Sequence, residues 1–353
     1  MKVLKIERGL TAEQRGEMHG ETFRREIKEL AQIRTDLIMW AWDHSNPSEV
    51  LERAKQHLRP LQEYDQDLYS EFHGIARAAG ITEESLLVLN HYTDLRDLGM
   101  AQHALEEGCS ILHARHGEEV LLAQTWDMHA TAEPHVLMLY LPDEEVWTLT
   151  ITGCLALCGL NRAGVAVAIN NLVMSDAVVG ISWPTLVRKM LRQPSVEEAE
   201  GVLNHTLVGS GHHYALVSPN RSAAWESSGT IELKVYDGDY SPYVHTNHCL
   251  NQRLDQLSRI SPTSTTHDRY RQATDLLKEN PAPSAQELWD MMGCTINFPH
   301  SLFTDRSSNE NPHGVATCAR VIMDCRRRKI WARAAKDPDQ TPLVFEFEEA
   351  LRS

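Results

Sequence analysis

The residue pattern of this 353-residue chain changes near residue 108. Over roughly the first hundred residues, apolar side chains recur at spacings of three and four, which predicts amphipathic helices; examples are Ile27, Leu30, Ile33, Leu37 and Ile38. Beyond residue 108 the apolar residues form short β-branched and aliphatic runs between turn residues, which predicts strands. A chain of this length can form two domains or one large body. We expect an α+β fold in which a helical N-terminal segment precedes layered sheets.

Helix boundaries are visible at several positions. Thr11 and Thr82 each stand where a side-chain oxygen can accept from the free N–H groups of a first helical turn, and Gly80 suits a C-terminal stop. Ser195 and Ser284 are each followed three residues later by Glu, which predicts two further helices opened by capping boxes.

Strands are expected wherever the apolar runs occur. The predicted strands cover residues 120–122, 136–141, 146–152, 165–171, 214–217, 231–235, 315–323 and 329–334. Tight turns between consecutive strands, such as residues 326–328 between the last two, imply antiparallel pairing. The Ser/Thr-rich stretch 260–266 is typical of a linker, and residues 305–312 are typical of a polar loop.

Charge and composition exclude several classes of protein. The chain has 34 Lys and Arg against 49 Asp and Glu, for a net charge of −15. Binding to nucleic acid or to anionic lipid needs clustered basic residues, so we expect neither partner. No apolar run approaches the roughly 18 residues of a membrane span, and the first residues lack the apolar core of a signal peptide. Seven Cys at low density then predict reduced thiols in the cytoplasm.

Histidine is abundant, with 18 residues. Several standard nucleotide-binding and catalytic motifs are missing from the sequence. The chain has no phosphate loop, no dinucleotide-binding glycine motif, no G-x-S-x-G and no H-E-x-x-H. His245, His248 and Cys249 could ligate a metal. However, residues three apart on an extended segment point to opposite faces, so the two His can share a metal only if the segment turns. We predict no cofactor and no resident metal, and the alternative is a non-catalytic or metal-binding protein that uses the His-rich segments.

Cys109 stands at the junction between the two halves of the pattern and follows Gly108. A thiol there can attack the preceding carbonyl, and Gly, with no Cβ, allows the bent backbone that this attack needs. Hydrolysis of the resulting thioester makes Cys109 a new N-terminus, whose α-amine, of pKa about 7.7–8.0, can serve as a general base. The alternative is that Cys109 is a small buried apolar residue.

Six short segments occur together in a recognisable order. They are residues 16–20 (GEMHG), 74–76 with 89–90 (GIA and LN), 108–110 (GCS), 124–127 (QTWD), 159–167 (GLNRAGVAV) and 245–250 (HTNHCL). In this set the chain resembles the acyl-coenzyme A:6-aminopenicillanic acid acyltransferase family, a cysteine branch of the N-terminal nucleophile hydrolases. The resemblance implies a four-layer αββα sandwich of antiparallel sheets. It also implies self-cleavage into residues 1–108 and 109–353, which stay together as a heterodimer, with any higher oligomer left open.

The resemblance also implies roles for individual residues. Cys109 matches the nucleophile, and Gly108 supplies the carbonyl that is attacked. Asp127 matches an acid beside the nucleophile that holds the α-ammonium or relays protons, and Asn247 matches a side-chain donor to the oxyanion. The alternatives are that Asp127 is a surface or turn carboxylate and that Asn247 is a turn residue bonded to its own backbone.

Three substrate contacts follow less directly from the resemblance. Glu226 and Ser228 match the Glu-x-Ser segment of relatives, although Ser228 could be a solvated hydroxyl. Arg320 is a candidate for the pocket Arg that relatives place before the penultimate strand. This chain departs from the family at Ile111, where a hydroxyl residue is common, and at Thr125, where Asn is common.

These observations predict an autocatalytically processed amide hydrolase or acyltransferase. The expected substrates are small N-acyl amines or N-acyl amino acids, and thioesters such as acyl-coenzyme A, which would acylate Cys109.

Overall fold

Two β-sheets lie face to face with helices on both outer sides in the computed structural model, which describes residues 1–43, 46–98, 108–204, 206–238, 242–337 and 340–347. The first sheet has eight strands and the second has six. This is the four-layer αββα sandwich that the family resemblance implies, and it has the α+β composition that the sequence pattern predicts.

The N-terminal segment is helical, as expected, except for its first strand. Its elements are β1 (Lys2–Lys5), α1 (Ala12–Thr22), α2 (Arg24–Ala41), α3 (Pro47–Lys55), α4 (Leu58–Tyr64), α5 (Gln66–Ala79), α6 (Glu83–Asn90) and α7 (Tyr92–Leu98). Thr11 and Thr82 are the N-caps of α1 and α6, and Gly80 closes α5 with a φ of 70°. All three predicted boundaries are confirmed.

The rest of the described chain is mostly strand. Its strands are β2 (Gly108–His116), β3 (Glu119–His129), β4 (Val136–Leu141), β5 (Val146–Ile151), β6 (Cys158–Asn161), β7 (Ala166–Leu172), β8 (Gly211–Val217), β9 (Ser222–Ser227), β10 (Glu232–Gly238), β11 (Tyr243–His245), β12 (Val315–Asp324), β13 (Lys329–Ala334) and β14 (Leu343–Glu346). Its α-helices are α8 (Trp183–Leu191), α9 (Val196–Gly201), α10 (Gln252–Asp255), α11 (Thr266–Glu279) and α12 (Ala285–Met292).

The strand order gives β2, the strand that carries Cys109, a neighbouring strand on each side. The first sheet runs β1-β4-β5-β6-β7-β8-β9-β10 and the second runs β11-β2-β3-β12-β13-β14. Pairing between the named strands is antiparallel throughout, except that β1 lies parallel to β4. Helices α8 and α9 pack on the first sheet, and α11 and α12 pack on the second. The strand β2 is therefore internal to the sandwich.

Alternation along β2 divides its side chains between two cores. Cys109 and Ile111 belong to the large core between the sheets. Leu112 and Ala114 belong to a smaller core beneath α11 and α12. The start of β2 thus faces both the interior of the sandwich and the outer helical layer.

Three sequence expectations need correction. The strand β1 was not predicted, because four residues are too few for a clear alternation. Residues 260–266 are not a linker: they lead into α11, a helix that the sequence reading missed. At Ser195 only half of the capping box forms: its side chain accepts from Glu198 N, whereas at Ser284 both bonds of the box are present.

Glycines explain two of the segments that carry the family resemblance. Helices α1 and α5 cross so closely that a Cβ on Gly16 would lie 2.0 Å from the Glu71 carbonyl oxygen. A Cβ on Gly74 would lie 2.2 Å from the Glu13 carbonyl oxygen. The segments 16–20 and 74–76 are therefore required by backbone contact between two helices.

Asn side chains explain the 89–90 part of the second segment and one further segment, residues 159–167. Asn90 donates to Gly153 O at 2.9 Å and accepts from Leu155 N at 3.1 Å, which ties α6 to the loop after β5. In the 159–167 segment, Asn161 accepts from Val165 N at 2.9 Å, and Gly164 has a φ of 94°. Both segments are structural, as the sequence reading expected for Gly164.

Among the described residues, no helix is long and apolar enough to cross a membrane.

Candidate active site

Cys109 is the second residue of β2 and lies opposite Trp126 of β3, while Gly108 lies opposite Asp127. Paired residues of antiparallel strands share a face of the sheet. Cys109 and Trp126 therefore face the core between the sheets, and Gly108 and Asp127 face the outer helical layer. The Cys109 residue is buried, with 7% of its surface exposed.

The backbone of Cys109 is held at both of its polar groups. Its N–H donates to Asn247 Oδ1 at 2.8 Å. Its carbonyl oxygen accepts from Arg269 Nη1 at 2.8 Å and from Asn170 Nδ2 at 2.9 Å. The nucleophile candidate is thus fixed by side chains from β7, from α11 and from the loop after β11.

Arg269 is a buried residue of α11 that sequence reasoning missed. Besides the Cys109 carbonyl it donates to Ser110 Oγ at 3.0 Å, to Asn247 Oδ1 at 2.8 Å and to Thr265 Oγ1 at 3.0 Å. A signal was available, because positions 269, 273 and 277 share one face of a helix, and an Arg on the face of Ala273 and Leu277 is unusual.

Asn247 is held in one orientation by its partners. Its Oδ1 accepts from both Cys109 N and Arg269 Nη2, so its amide nitrogen must point the other way, where Nδ2 donates to Asn171 O at 3.0 Å. Its backbone N–H donates to Thr266 Oγ1 at 2.7 Å, which ties it to the start of α11. One Nδ2 hydrogen remains for a further acceptor.

Asp127 lies against Gly108 at the candidate scission point. A Cβ on Gly108 would stand 2.9 Å from Asp127 Oδ2 and 3.2 Å from Arg269 Nη2. Gly108 therefore leaves space beside a carboxyl and a guanidinium that a Cβ would occupy. The Oδ1 atom of Asp127 has no hydrogen-bond partner among the described residues.

Burial controls the protonation of this pair. It raises the pKa of the Asp127 carboxyl, and the positive charge of Arg269 opposes the rise. It also raises the pKa of the Cys109 thiol to about 12, with the charge of Asp127 adding to the effect. In the uncut chain Cys109 is therefore a thiol that needs a base, and a carboxyl with a raised pKa is a stronger base than an ordinary one.

Two of the predicted substrate contacts lie in the interior. Glu226 is fully buried and accepts from Leu250 N at 2.6 Å and Asn251 N at 3.0 Å, beside His245 Nε2 at 2.9 Å. Ser228 is 1% exposed and donates to Asp176 Oδ2 at 2.7 Å within a turn. Both side chains are thus engaged by partners within the protein, and their predicted contact with substrate stays a prediction.

Arg320 lies outside the Cys109 cluster as well. It packs on the outer face of the second sheet, with its guanidinium 4.3 Å from the Trp289 ring centroid and 2.8 Å from Gln340 Oε1. These two residues and Arg320 line a cavity of about 710 Å³ against α12. The structure therefore does not bring Arg320 to the nucleophile.

The His-rich segments do not gather into a metal site. His245 Nδ1 lies 3.0 Å from Asn170 Oδ1 and its Nε2 faces Glu226, so both nitrogens are engaged. His248 contacts Thr246 and Thr266 through Nδ1 at 3.1 Å. Within the described part of the chain, no group of three or more His, Cys, Asp or Glu could hold a metal ion.

A cavity of about 620 Å³ opens near the Asp127 end of β3. Its walls include Trp40, Tyr92, His129, Arg306 and His313. His129 follows Asp127 by two residues on β3, and the charge of Arg306 acts on Asp127. Its volume and mixed lining are those of a site for a small molecule.

The chain thus combines a four-layer αββα sandwich with a clamped cysteine at the start of a strand that has neighbours on both sides. Residues 114–339 match the family described as acyl-coenzyme A:6-aminopenicillanic acid acyl-transferase, and the chain belongs to that family.

Similar proteins are known in sequence and in structure. The acyl-coenzyme A:6-aminopenicillanic-acid-acyltransferase 40 kDa form of Emericella nidulans is 23% identical over 339 residues, which cover 92% of this chain and 91% of that protein. Penicillin V acylase from Agrobacterium tumefaciens aligns at 16% identity and a TM-score of 0.43, covering 67% of this chain and 84% of that one. A mutant of conjugated bile acid hydrolase from Clostridium perfringens aligns at 12% identity and a TM-score of 0.46, covering 67% of this chain and 92% of that one.

Proposed function

We propose that the chain cuts its own backbone between Gly108 and Cys109 and then acts as an amide hydrolase or acyltransferase with Cys109 as nucleophile. Family membership supports acyl transfer or amide hydrolysis. The observation that carries the finer proposal is the clamp on Cys109, whose N–H and C=O are both held by side chains. A residue due to become a chain terminus needs such contacts, since a free terminus otherwise frays.

The scission follows from the groups around Gly108. The Cys109 sulfur attacks the Gly108 carbonyl carbon from the core side, and the thiol proton is relayed to the Asp127 carboxylate on the other face of the strand pair. The proton then passes to the Cys109 nitrogen as the C–N bond breaks, which leaves a thioester and a free amine. Water hydrolyses the thioester to a Gly108 carboxylate and a Cys109 thiol.

Contacts across the cut support a lasting heterodimer of residues 1–108 and 109–353. The strand β1 completes the edge of the first sheet beside β4. Glu71 of α5 forms a buried ion pair with Arg188 of α8 at 3.2 Å. Asp97, near the last described residue before the cut, accepts from Ser210 Oγ at 2.7 Å. The smaller piece is therefore held to the larger one by a strand pair, an ion pair and a hydrogen bond.

Turnover uses the same groups after the cut. The new α-amine lies beside its own thiol and can take the thiol proton as the sulfur attacks the carbonyl carbon of a substrate. The remaining Nδ2 hydrogen of Asn247 serves the oxyanion, a contribution typically worth roughly 3–4 kcal/mol of barrier. The amine leaves protonated, and water or an acceptor amine then removes the acyl group from Cys109.

Small N-acyl amines or N-acyl amino acids are the proposed substrates, with acyl-coenzyme A as an alternative acyl donor. The cavity of about 620 Å³ near Asp127 fits molecules of that size. All seven Cys are free, which supports a reducing compartment such as the cytoplasm.

Mass spectrometry of the denatured, purified chain tests the scission. We expect two fragments that meet between Gly108 and Cys109, and one intact species near 39.9 kDa for Cys109→Ala. An intact wild-type chain that is indistinguishable from the variant would overturn the proposal.

Release of amine from a panel of N-acyl amines tests the chemistry. Activity should vanish in Cys109→Ala and fall by roughly a hundredfold or more in kcat for Asn247→Ala. Full turnover by Asn247→Ala would remove this residue from the oxyanion site. Tightly bound stoichiometric zinc would favour the alternative of a metal-binding protein.

A further inference from the structure

A chain of buried polar side chains lies directly behind the Cys109 carbonyl. Asn170 Nδ2 donates to that carbonyl, so Asn170 Oδ1 must face the opposite side. Two imidazoles meet it there, with His213 Nδ1 at 2.9 Å and His245 Nδ1 at 3.0 Å. An amide oxygen only accepts, so both Nδ1 atoms carry hydrogen.

The second nitrogen of His245 faces a carboxylate. Its Nε2 lies 2.9 Å from Glu226 Oε1, and both residues are fully buried. The two Glu226 oxygens also accept from the backbone N–H groups of Leu250 and Asn251. Backbone donors stabilise the ionised form of a carboxyl, so the shared proton belongs on Nε2. His245 then carries two protons.

His213 lies parallel to His245, with ring centroids 3.5 Å apart and planes within 4°. Two stacked cations in a buried site would repel strongly, so His213 is neutral. Burial, and then the charge of His245, lower the pKa of His213 well below its usual value. The Tyr243 hydroxyl, 2.9 Å away, therefore donates to His213 Nε2.

We propose that His245 is an imidazolium paired with the Glu226 carboxylate and that this buried ion pair positions Asn170 and, through it, the Cys109 carbonyl. The groups that face His245 are Asn170 from β7, His213 from β8, Glu226 from β9 and Tyr243 from β11, with the His248 ring 6.3 Å away. None of them adds a second anion.

The ion pair acts on the nucleophile by orientation. Two N–H donors fix the Asn170 oxygen, which leaves its Nδ2 aimed at the Cys109 carbonyl. A neutral His245 that keeps its hydrogen on Nε2 presents a lone pair to that oxygen, and Asn170 would turn away. His245 and Glu226 are therefore positioning residues, and their effect on turnover rests on the proposed function.

The protonation state is tested on the full chain with ¹⁵N-labelled histidine. We expect one imidazolium signal, from a ring with hydrogen on both nitrogens, to persist in a buffer that leaves exposed histidines neutral. It should disappear in Glu226→Gln and remain in the control Glu197→Gln, whose carboxylate is exposed. If no imidazolium persists in the wild-type protein, the proposal is overturned, whether or not Glu226→Gln folds.

The variant Tyr243→Phe distinguishes the NMR signals of His213 and His245. It removes the donor to His213 alone, so we expect the persistent imidazolium signal to stay and only a neutral His signal to move. A second persistent imidazolium in Tyr243→Phe would overturn the proton assignment.

Kinetics test the positioning role. In Glu226→Gln we expect kcat to fall by roughly tenfold to a hundredfold, the scale of a small misplacement, with KM nearly unchanged. A normal kcat in a variant that has lost the imidazolium would overturn the positioning role. If the wild-type protein neither cuts itself nor hydrolyses amides yet keeps the imidazolium signal, the proposed function fails while the charged pair stands.

Discussion

At the scale of single residues, the candidate site consists of Cys109 and the side chains that hold its backbone. Cys109, Asp127 and Asn247 were predicted from the sequence and lie within one cluster. Arg269 and Asn170 were not predicted, although each donates to the Cys109 carbonyl. A guanidinium with several N–H donors in a rigid plane can serve the carbonyl, a hydroxyl and an amide oxygen at once.

The variant Arg269→Lys should therefore slow both scission and turnover. Lys keeps the charge but cannot make these bonds together, and the acceptors left in a buried site cost roughly 1–3 kcal/mol each. Time courses of fragment formation measure scission, amine release measures turnover, and denaturant melts measure the cost in stability. The control is Arg271→Lys, two residues along α11, where the Arg side chain is exposed. Equal scission rates in both variants would contradict the role of Arg269.

A second residue-scale prediction concerns Gly108. In Gly108→Ala the new Cβ would lie 2.9 Å from Asp127 Oδ2, so the carboxyl must move away from the scission point. We expect uncut chain to accumulate, with processing slowed at least roughly tenfold relative to wild type, as seen on denaturing gels. Gly201→Ala is the control, because a Cβ there meets nothing within 4 Å. Normal processing of Gly108→Ala would show that the space beside Asp127 is not needed.

At the scale of elements, the crossing of α1 and α5 explains why short glycine segments recur far apart in the chain. Helices normally pack with their axes about 8–10 Å apart, and small residues are needed where backbones approach more closely. Gly16, Gly20 and Gly74 all occupy this contact. The crossing orders the N-terminal segment that the proposed cut would separate from the rest.

The variant Gly16→Ala should destabilise the protein by about 1–3 kcal/mol, the usual cost of overpacking. Its Cβ would lie 2.0 Å from the Glu71 carbonyl oxygen, a backbone atom that can move only with its helix. Urea denaturation measures the change, and Gly201→Ala again serves as the control. A free energy of unfolding equal to that of wild type would mean that α1 and α5 cross less closely than described.

At the scale of the whole molecule, many histidines are buried without charge. Burial lowers the pKa of His19 and His91 to about 3, and that of His113 and His212 to about 4. Their unfolded pKa is about 6.5. Between these values the unfolded chain binds protons that the folded protein does not, so acid favours unfolding.

Stability should therefore be greatest above about pH 6.5 and decline as the pH falls, by about 1.4 kcal/mol per pH unit for each such histidine. Asp94, whose pKa burial raises, offsets part of this loss. Urea melts between about pH 8 and pH 5 measure the slope. His19→Gln should reduce this slope by the contribution of one proton. A flat profile would contradict the burial of these residues in neutral form.

Much of the fold was predictable because local pattern reports local structure. The strands Val136–Leu141 and Lys329–Ala334 occur at the predicted bounds. Helices α1 and α6 begin after Thr11 and Thr82, and α5 ends at Gly80, as expected. Short edge elements such as β1 and β14 escaped detection, since their residues gain stability from a neighbouring strand rather than from their own pattern.

By itself, the sequence determined the α+β class, the family and three members of the candidate cluster, because composition, periodicity and motif order are properties of the chain. The tertiary structure alone decided the rest. Glu226 and Ser228 are buried, and Arg320 lines a cavity away from Cys109. Asn170 and Arg269 both donate to the Cys109 carbonyl. These last two residues lie 61 and 160 positions from Cys109 along the chain. Contacts over such separations depend on how sheets and helices pack, and no local residue pattern encodes that packing.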